Sequence, residues 1–175
     1  MATVGLKNLY FAPLTQDTDE STTYGTPFKL AGAISVDINP SLAFATLYGD
    51  DAPFASEASM TEIAVTIEAA EISVENANSL LGHTGGVSKA SDVAPYGALM
   101  FEGQKHDGQT RYVCLYKGKF NESQETYNTK GDSVEFTTPR LEGRFVARQS
   151  DGAWKKVTDG APGNDSWYSA VPAAS

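Results

Sequence analysis

The sequence predicts a mainly β protein, an antiparallel sandwich or barrel of roughly seven or eight strands with one short helix on its flank. Three observations predict it. Phe28, Leu30, Gly32, Ile34, Val36 and Ile38 alternate with Lys29, Ala31, Ala33, Ser35 and Asp37, a period of two that a long half-buried strand explains economically. Ile63, Val65, Ile67 and Ala69 alternate in the same way with Glu62, Ala64, Thr66, Glu68 and Ala70. The second half is punctuated by Asp107-Gly108 and Asp151-Gly152, dipeptides that favour hairpin turns.

Taken in order, residues 13–27 are polar and read as a loop. The strand at 28–38 meets a breaker pair, Asn39-Pro40, so it is expected to end there. Leu42, Phe44 and Thr46 alternate with smaller residues and suggest a short extended piece. Gly49 to Ser59 lacks periodicity and reads as a long loop, a feature that in compact domains is usually functional or disordered. After the strand at 62–71 comes the helix. Ser73 is an N-cap residue, Glu75 lies in the first turn, and Gly82 stands where a left-handed terminator belongs. Val74, Ala77, Leu80 and Leu81 form the stripe expected to pack on a sheet.

Ala98–His106 and Thr110–Phe120 flank Asp107-Gly108 as a two-residue hairpin. The second of these strands carries Val113 and Leu115 on one face and Tyr112, Cys114 and Tyr116 on the other, so it should be covered on both. Val134, Phe136 and Thr138 alternate with polar residues, as do Leu141, Gly143, Phe145 and Ala147 with Glu142, Arg144, Val146 and Arg148. Asp151-Gly152 should return the chain onto Trp154–Val157. From Thr158 the composition turns to Gly, Pro, Ala, Ser and Asp around an isolated Trp167-Tyr168 pair, which reads as a flexible arm. The organisation expected is one domain, with residues 1–27 as N-terminal arm and loop, 28–157 as β core, and 158–175 as C-terminal arm.

Residues 1–88 hold 11 acidic and 2 basic side chains, and residues 89–175 hold 11 of each. No Lys or Arg lies between Lys29 and Lys89. Affinity for phosphates comes from Lys and Arg, so the first half is not built to hold nucleic acid. A solvated acidic face, or a surface that repels an anion, accounts for it. No stretch has the make-up of a secretory signal, and none approaches the roughly 20 apolar residues of a membrane span. The expectation is a chain folded in solution.

Chemistry is sparse. Cys114 is the single cysteine and sits mid-strand, where an inert buried thiol is expected. His83 follows the helix terminator, where it can favour the last carbonyls. His106 stands at a hairpin end. Neither has zinc-ligand spacing. Gly82-His83-Thr84-Gly85-Gly86 follows a helix rather than opening one, so it is no phosphate cradle. Glu62 and Glu68 would lie ~20 Å apart on one strand, beyond the ~10 Å reach of a glycosidase pair. No cofactor or metal is expected, and no enzymatic activity.

The opening Gly5-Leu6-Lys7-Asn8-Leu9-Tyr10-Phe11-Ala12-Pro13, Tyr24-Gly25-Thr26-Pro27, Leu47-Tyr48-Gly49-Asp50-Asp51 and Leu80-Leu81-Gly82 resemble phage major tail proteins, the subunits of the tail tube. The resemblance implies a β-sandwich of the tail-tube type with a flanking helix, a long stacking loop and terminal arms. It implies homo-hexameric rings stacked head to tail, with inner-sheet strands joined around a lumen through which double-stranded DNA passes without specific binding. It implies a structural protein of the virion tail, made in the bacterial host cytoplasm, meeting tape measure, tail terminator and distal tail proteins. Carried onto this chain, the stacking loop is Asn39 to Ser59, with Asn39, Leu42, Phe44, Tyr48, Asp50, Asp51, Phe54 and Glu57. Arm contacts fall to Leu6, Leu9, Tyr10, Phe11, Trp167 and Tyr168. Glu62, Thr66 and Glu68, with Asp37 on the neighbouring strand, would line the lumen, where carboxylates give DNA phosphates no counterions and keep the passage slippery.

Two other functions stand against this one. Trp154, Trp167, Tyr168 and surface tyrosines would suit a carbohydrate-binding sandwich, since aromatic faces stack on sugars. Carboxylates recruited from different strands would make an enzyme.

Overall fold

The structure, a computed structural model, describes residues 3–30, 32–49, 52–122, 129, 138–160, 163 and 165–174. Among the described residues nine strands form one antiparallel sheet: β1 (Thr3–Asp17), β2 (Thr22–Tyr24), β3 (Phe28–Lys29), β4 (Ala33–Gly49), β5 (Ala52–Ala69), β6 (Gly97–Lys105), β7 (Thr110–Asn121), β8 (Arg140–Val146) and β9 (Lys155–Gly160). A helix, α1 (Val74–Leu81), follows β5, and a 3-10 turn (Asp165–Tyr168) follows β9. The sheet order is β2-β1-β6-β7-β8-β5-β4, with β3 added to β1 and β9 added to β7.

Strands distant in that order meet through their side chains. Leu9 and Phe11 of β1, Leu99 of β6 and Leu115 of β7 share one core with Ile63, Val65 and Ile67 of β5 and Leu141 and Phe145 of β8. The sheet therefore folds over itself as a sandwich. The turn is made in β7. Leu99 pairs with Leu115 but Gly97 pairs with Gly118, so β7 carries an extra residue there. This bulge reverses the parity of the strand. Leu115 and Phe120 both reach the core despite their odd spacing.

At the bend, rings lie over glycines. Phe145 is paired with Gly118 and Phe120 with Gly143. A Cβ on Gly118 would stand 2.3 Å from the Phe145 ring, one on Gly143 2.8 Å from the Phe120 ring, and one on Gly97 2.3 Å from the Phe11 ring. Phe28, Phe11, Phe120 and Phe145 then follow one another edge to face, at 5.8, 6.0 and 5.7 Å between centroids, a favoured geometry for aromatic pairs.

Several expectations are corrected. Residues 28–38 are not one strand. The chain breaks after β3, where Gly32 takes φ 61° and a Cβ would meet Ala70 at 2.8 Å. A bulge between Ala33 and Ser35 turns Ile34 out to solvent. Asn39-Pro40 ends nothing. Pro40 is paired with Ile63 inside β4, which lies at the end of the sheet order, and an edge strand tolerates the missing N–H. The expected loop at 39–59 is a continuous hairpin, paired from Ser41–Glu62 to Gly49–Ala52. Residues 13–27 are no simple loop, since β1 runs to Asp17 and pairs with β2. Val134 and Phe136 lie outside the described residues.

The terminal segments are not arms. Leu9 and Phe11 are fully buried in a β1 strand that pairs with β6. Trp167 and Tyr168 are buried as well. They cover Ala12, Ala98, Met100, Tyr112, Cys114 and Tyr116 on the outer face of β1, β6 and β7. Tyr168 stacks on Tyr10 at 4.4 Å and donates to Glu102 Oε2 at 3.1 Å. β7 is thus covered on both faces, as its sequence demands, and the supposed arm supplies the second cover. Burial pushes the Cys114 thiol up to about 12, which leaves it un-ionised and inert.

The helix forms as its caps dictate. Ser73 Oγ accepts from the Asn76 N–H, and Gly82, at φ 77°, donates to the Asn78 carbonyl. Leu80 and Leu81 are buried, but Val74 is 62% exposed, so the stripe is shorter than predicted. The His83 Nδ1 meets Asp92 Oδ2 at 2.9 Å. The Asp107-Gly108 turn holds three residues instead of two. Gly108 N–H donates to the Lys105 carbonyl and Lys105 N–H to the Gln109 carbonyl, with Gly108 left-handed at φ 84°, a bulged hairpin.

Asp151-Gly152 does not join two paired strands. β8 pairs with Lys117–Asn121 of β7 and β9 with Thr110–Leu115. The two form one interrupted line along β7, and residues 147–154 loop out between them. That loop is tied to β1 through Asp17. Its carboxylate accepts from Lys117 and from Thr22 Oγ1 and from the Gln149 N–H at 3.2 Å. Burial alone would raise the Asp17 pKa, but these donors outweigh it and hold the group below its ordinary value.

Two outcomes follow. Gly118→Ala should destabilise the protein by about 1–3 kcal/mol, the cost of overpacking a filled site, seen as a lower denaturant midpoint. An unchanged midpoint would mean that the Phe145 ring moves aside freely. Trp167→Ala should leave the main core folded but uncover Cys114, so that maleimide labels it much faster under native conditions. Labelling as slow as in the unaltered chain would show that Trp167 is not its cover.

Candidate assembly surfaces

β5 pairs with β8 only from Ile63 to Glu68, whereas its ladder with β4 continues to Gly49–Ala52. Among the described residues, the hairpin from Ser41 to Met60 therefore stands beyond the sandwich as a two-stranded ribbon. At about 3.4 Å per residue it projects by roughly 25–30 Å.

The ribbon has two unlike faces. Leu42 is paired with Met60 and Phe44 with Ala58, and directly opposed residues share a face. Leu42, Phe44 and Tyr48 continue the β4 alternation whose core members are Val36 and Ile38. Within the sandwich that face is covered. On the ribbon it is bare: Leu42 is 50% exposed, Phe44 71%, Tyr48 69% and Met60 38%. The reverse face sets Ala43 against Ser59 and Ala45 against Glu57. Asn39 and Glu57 are exposed. Asp50 and Asp51 lie outside the described residues, and Phe54 belongs to β5.

The four side chains expected at a lumen do share one face. Asp37 is paired with Thr66, and Thr66 with Glu142; Ser35 is paired with Glu68, and Glu68 with Arg140. Ala64 is paired with Arg144, which in turn is paired with Lys119 of β7. Arg144 bonds Glu62, and Thr138 Oγ1 donates to Glu68. The face is thus not purely acidic, because Arg140, Arg144 and Lys119 interleave with the carboxylates. Sequence reasoning saw the Glu142/Arg144 alternation but had no means of setting β8 beside β5. Leu6 and Tyr10 are half-buried, while Leu9, Phe11, Trp167 and Tyr168 are spent on the chain's own cores. Trp167 and Tyr168 are for that reason no platform for a sugar ring. Trp154 packs against the main core.

No helix among the described residues is long and apolar enough to cross a membrane. A search of curated proteins finds no match. The family model described as phage tail tube protein matches residues 1–141, a span that holds β1 to β7, α1 and the projecting ribbon. The chain belongs to the phage tail tube protein family, structural proteins of the virion tail.

Proposed function

We propose that this chain closes into hexameric rings that stack head to tail as the tube of a phage tail, the conduit for genome ejection. The observation that carries the proposal is the bare apolar face of the ribbon. A lone two-stranded hairpin is marginal in water, and a contiguous exposed apolar face marks an interaction site. A partner that covers Leu42, Phe44, Tyr48 and Met60 gives both problems one solution. β4 adds a second device. It lies at the end of the sheet order, so its outer backbone groups can pair with a strand of another copy. One contact running around a ring and another running along an axis build a tube. Sixfold closure follows the resemblance to tail tube proteins, as do tape measure, terminator and distal tail partners at the tube's ends and synthesis in the host cytoplasm.

The outward face of β4, β5 and β8 is the proposed lumen wall, with Asp37, Glu62, Thr66 and Glu68 in it. An ion pair with Glu62 keeps the Arg144 cation from binding phosphate.

Removing residues 43–58 and closing the gap with a glycine-rich turn should leave a folded chain with nearly the original thermal midpoint, because none of the described side chains in that segment belongs to either core. Electron microscopy should then find no long tubes. Long tubes from the shortened chain would refute the assignment. Changing Glu62 and Glu68 to Lys strips Arg144 of its partner and turns the wall basic. Assembled tubes should then retain double-stranded DNA, with retention falling steeply as salt rises, and genome ejection should slow in phage carrying both changes. Normal ejection from normal tails would put this face elsewhere than on the lumen.

A further inference from the structure

A ribbon that docks head to tail needs a receptor at the other end of the same chain, because a contact that repeats along an axis joins two different patches. β5 runs from the ribbon tip at Ala52 to Ala69, roughly 60 Å at about 3.4 Å per residue. The receptor must then lie near Ala69 and the segment that follows it.

That end carries an apolar surface that the fold leaves open. Val74, the first residue of α1, is 62% exposed, Val87 55%, Val93 75% and Tyr96 41%. The three valines adjoin the same helix, while Tyr96 sits beside β7 under Lys117 and Lys119. A Cβ on Gly86 would lie 3.2 Å from Val74 Cγ1, and one on Gly82 would lie 2.3 Å from the Val93 carbonyl oxygen. The loop is fastened to the helix rather than draped on it. Gly86 N–H donates to Asn78 Oδ1 at 3.2 Å. Asp92 accepts from the Lys89 N–H at 2.8 Å and faces His83 Nδ1 at 2.9 Å. The Lys89 N–H and His83 hold the Asp92 carboxyl below its ordinary value. A preformed surface loses little freedom when it binds.

Charge agrees with apolarity. The ribbon and its tip carry Asp50, Asp51 and Glu57 and no Lys or Arg. Asp92 is engaged as above and Glu122, just after β7, bonds Ser88 Oγ at 3.5 Å, which leaves Glu75 in the first turn of α1 as the exposed acid of this surface. The Lys89 ammonium, whose charge helps to lower the Asp92 carboxyl, is the cation of this loop, and Lys119 lies over the Tyr96 ring at 5.3 Å.

We propose that the surface formed by the first turn of α1 and the 84–96 loop is the receptor for the ribbon of a second copy of this chain. Leu42, Phe44 and Tyr48 of one copy then cover Val74, Val87 and Val93 of the next, and Glu57 of the ribbon faces Lys89. The inference rests on the ribbon being the stacking device and adds where it lands.

The test uses two full-length variants. Val87→Asp with Val93→Asp spoils the receptor, and Leu42→Asp with Phe44→Asp spoils the ribbon. All four positions are exposed, so both should fold, as thermal melting will check. Each alone should need at least about tenfold more protein than the unaltered chain to form tubes. Mixed, they should form complexes with a single junction, because one good ribbon and one good receptor remain. If the receptor variant polymerises normally while the ribbon variant does not, the ribbon stands and this surface is not its partner. If unaltered chains never polymerise, the ribbon reading falls and this inference with it. A chain carrying both Phe44→Cys and Val87→Cys keeps the question open to an answer even if the aspartates disturb the fold. Mild oxidation should give a ladder of disulfide-linked multimers. Phe44→Cys with Val157→Cys should give none. A ladder from the second pair, or none from the first in assembled tubes, would overturn the proposal.

Discussion

The fold depends on rings seated over glycines where β7 passes from one layer to the other. Phe145 fills the space left at Gly118, and Phe120 fills that at Gly143. Those contacts admit a single register between β7 and β8, since a slip by one residue would set each ring against a side chain and turn the strand inside out. The register then propagates. Phe145 is also paired with Ile63, and Ile63 with Pro40. The pairing of β8 fixes β5, and β5 fixes β4. Which side of the distant ribbon carries Leu42 and Phe44 is settled by two phenylalanines and two glycines in the core.

A consequence is that the proposed assembly surfaces are extensions of the folding surfaces. The face that buries Val36 and Ile38 in the sandwich is the one that exposes Leu42 and Phe44 beyond it. A protein that remained a monomer would gain by making these positions polar, because long bare edges and apolar ribbons invite association. On the proposed reading the association is the product. Cohesion inside the subunit and cohesion between subunits use one hydrophobic alternation, interrupted only where the covering layer ends.

How much of this was legible in the sequence depended on range. The helix was legible down to its caps, because Ser73 and Gly82 act within a few residues. The two-sided burial of β7 was legible because Tyr112, Cys114 and Tyr116 leave no polar face. The ribbon was not. Ala43, Ala45, Ala55, Ser56, Ala58 and Ser59 have weak strand preference, and with no core to fill they show no contrast between faces. Its strand character comes from the ladder itself. Pro40 misled for a related reason, since its cost depends on whether the strand has a neighbour on that side. Trp167-Tyr168 looked idle because their site is assembled from β1, β6 and β7, far away in the chain. The lumen candidates were found on one face by simple alternation. Arg140 and Arg144 were missed there, since only the β5–β8 register brings them in.

Hydrogen exchange at the ribbon amides tests the central claim most directly, namely that assembly buries the apolar face from Leu42 to Met60. In the free chain these amides should exchange rapidly, because a ribbon without a cover opens easily, while those of Ile63 to Ile67 stay protected. In assembled tubes the ribbon should become protected to a similar degree. Ribbon exchange that is as fast in tubes as in the free chain would contradict the account.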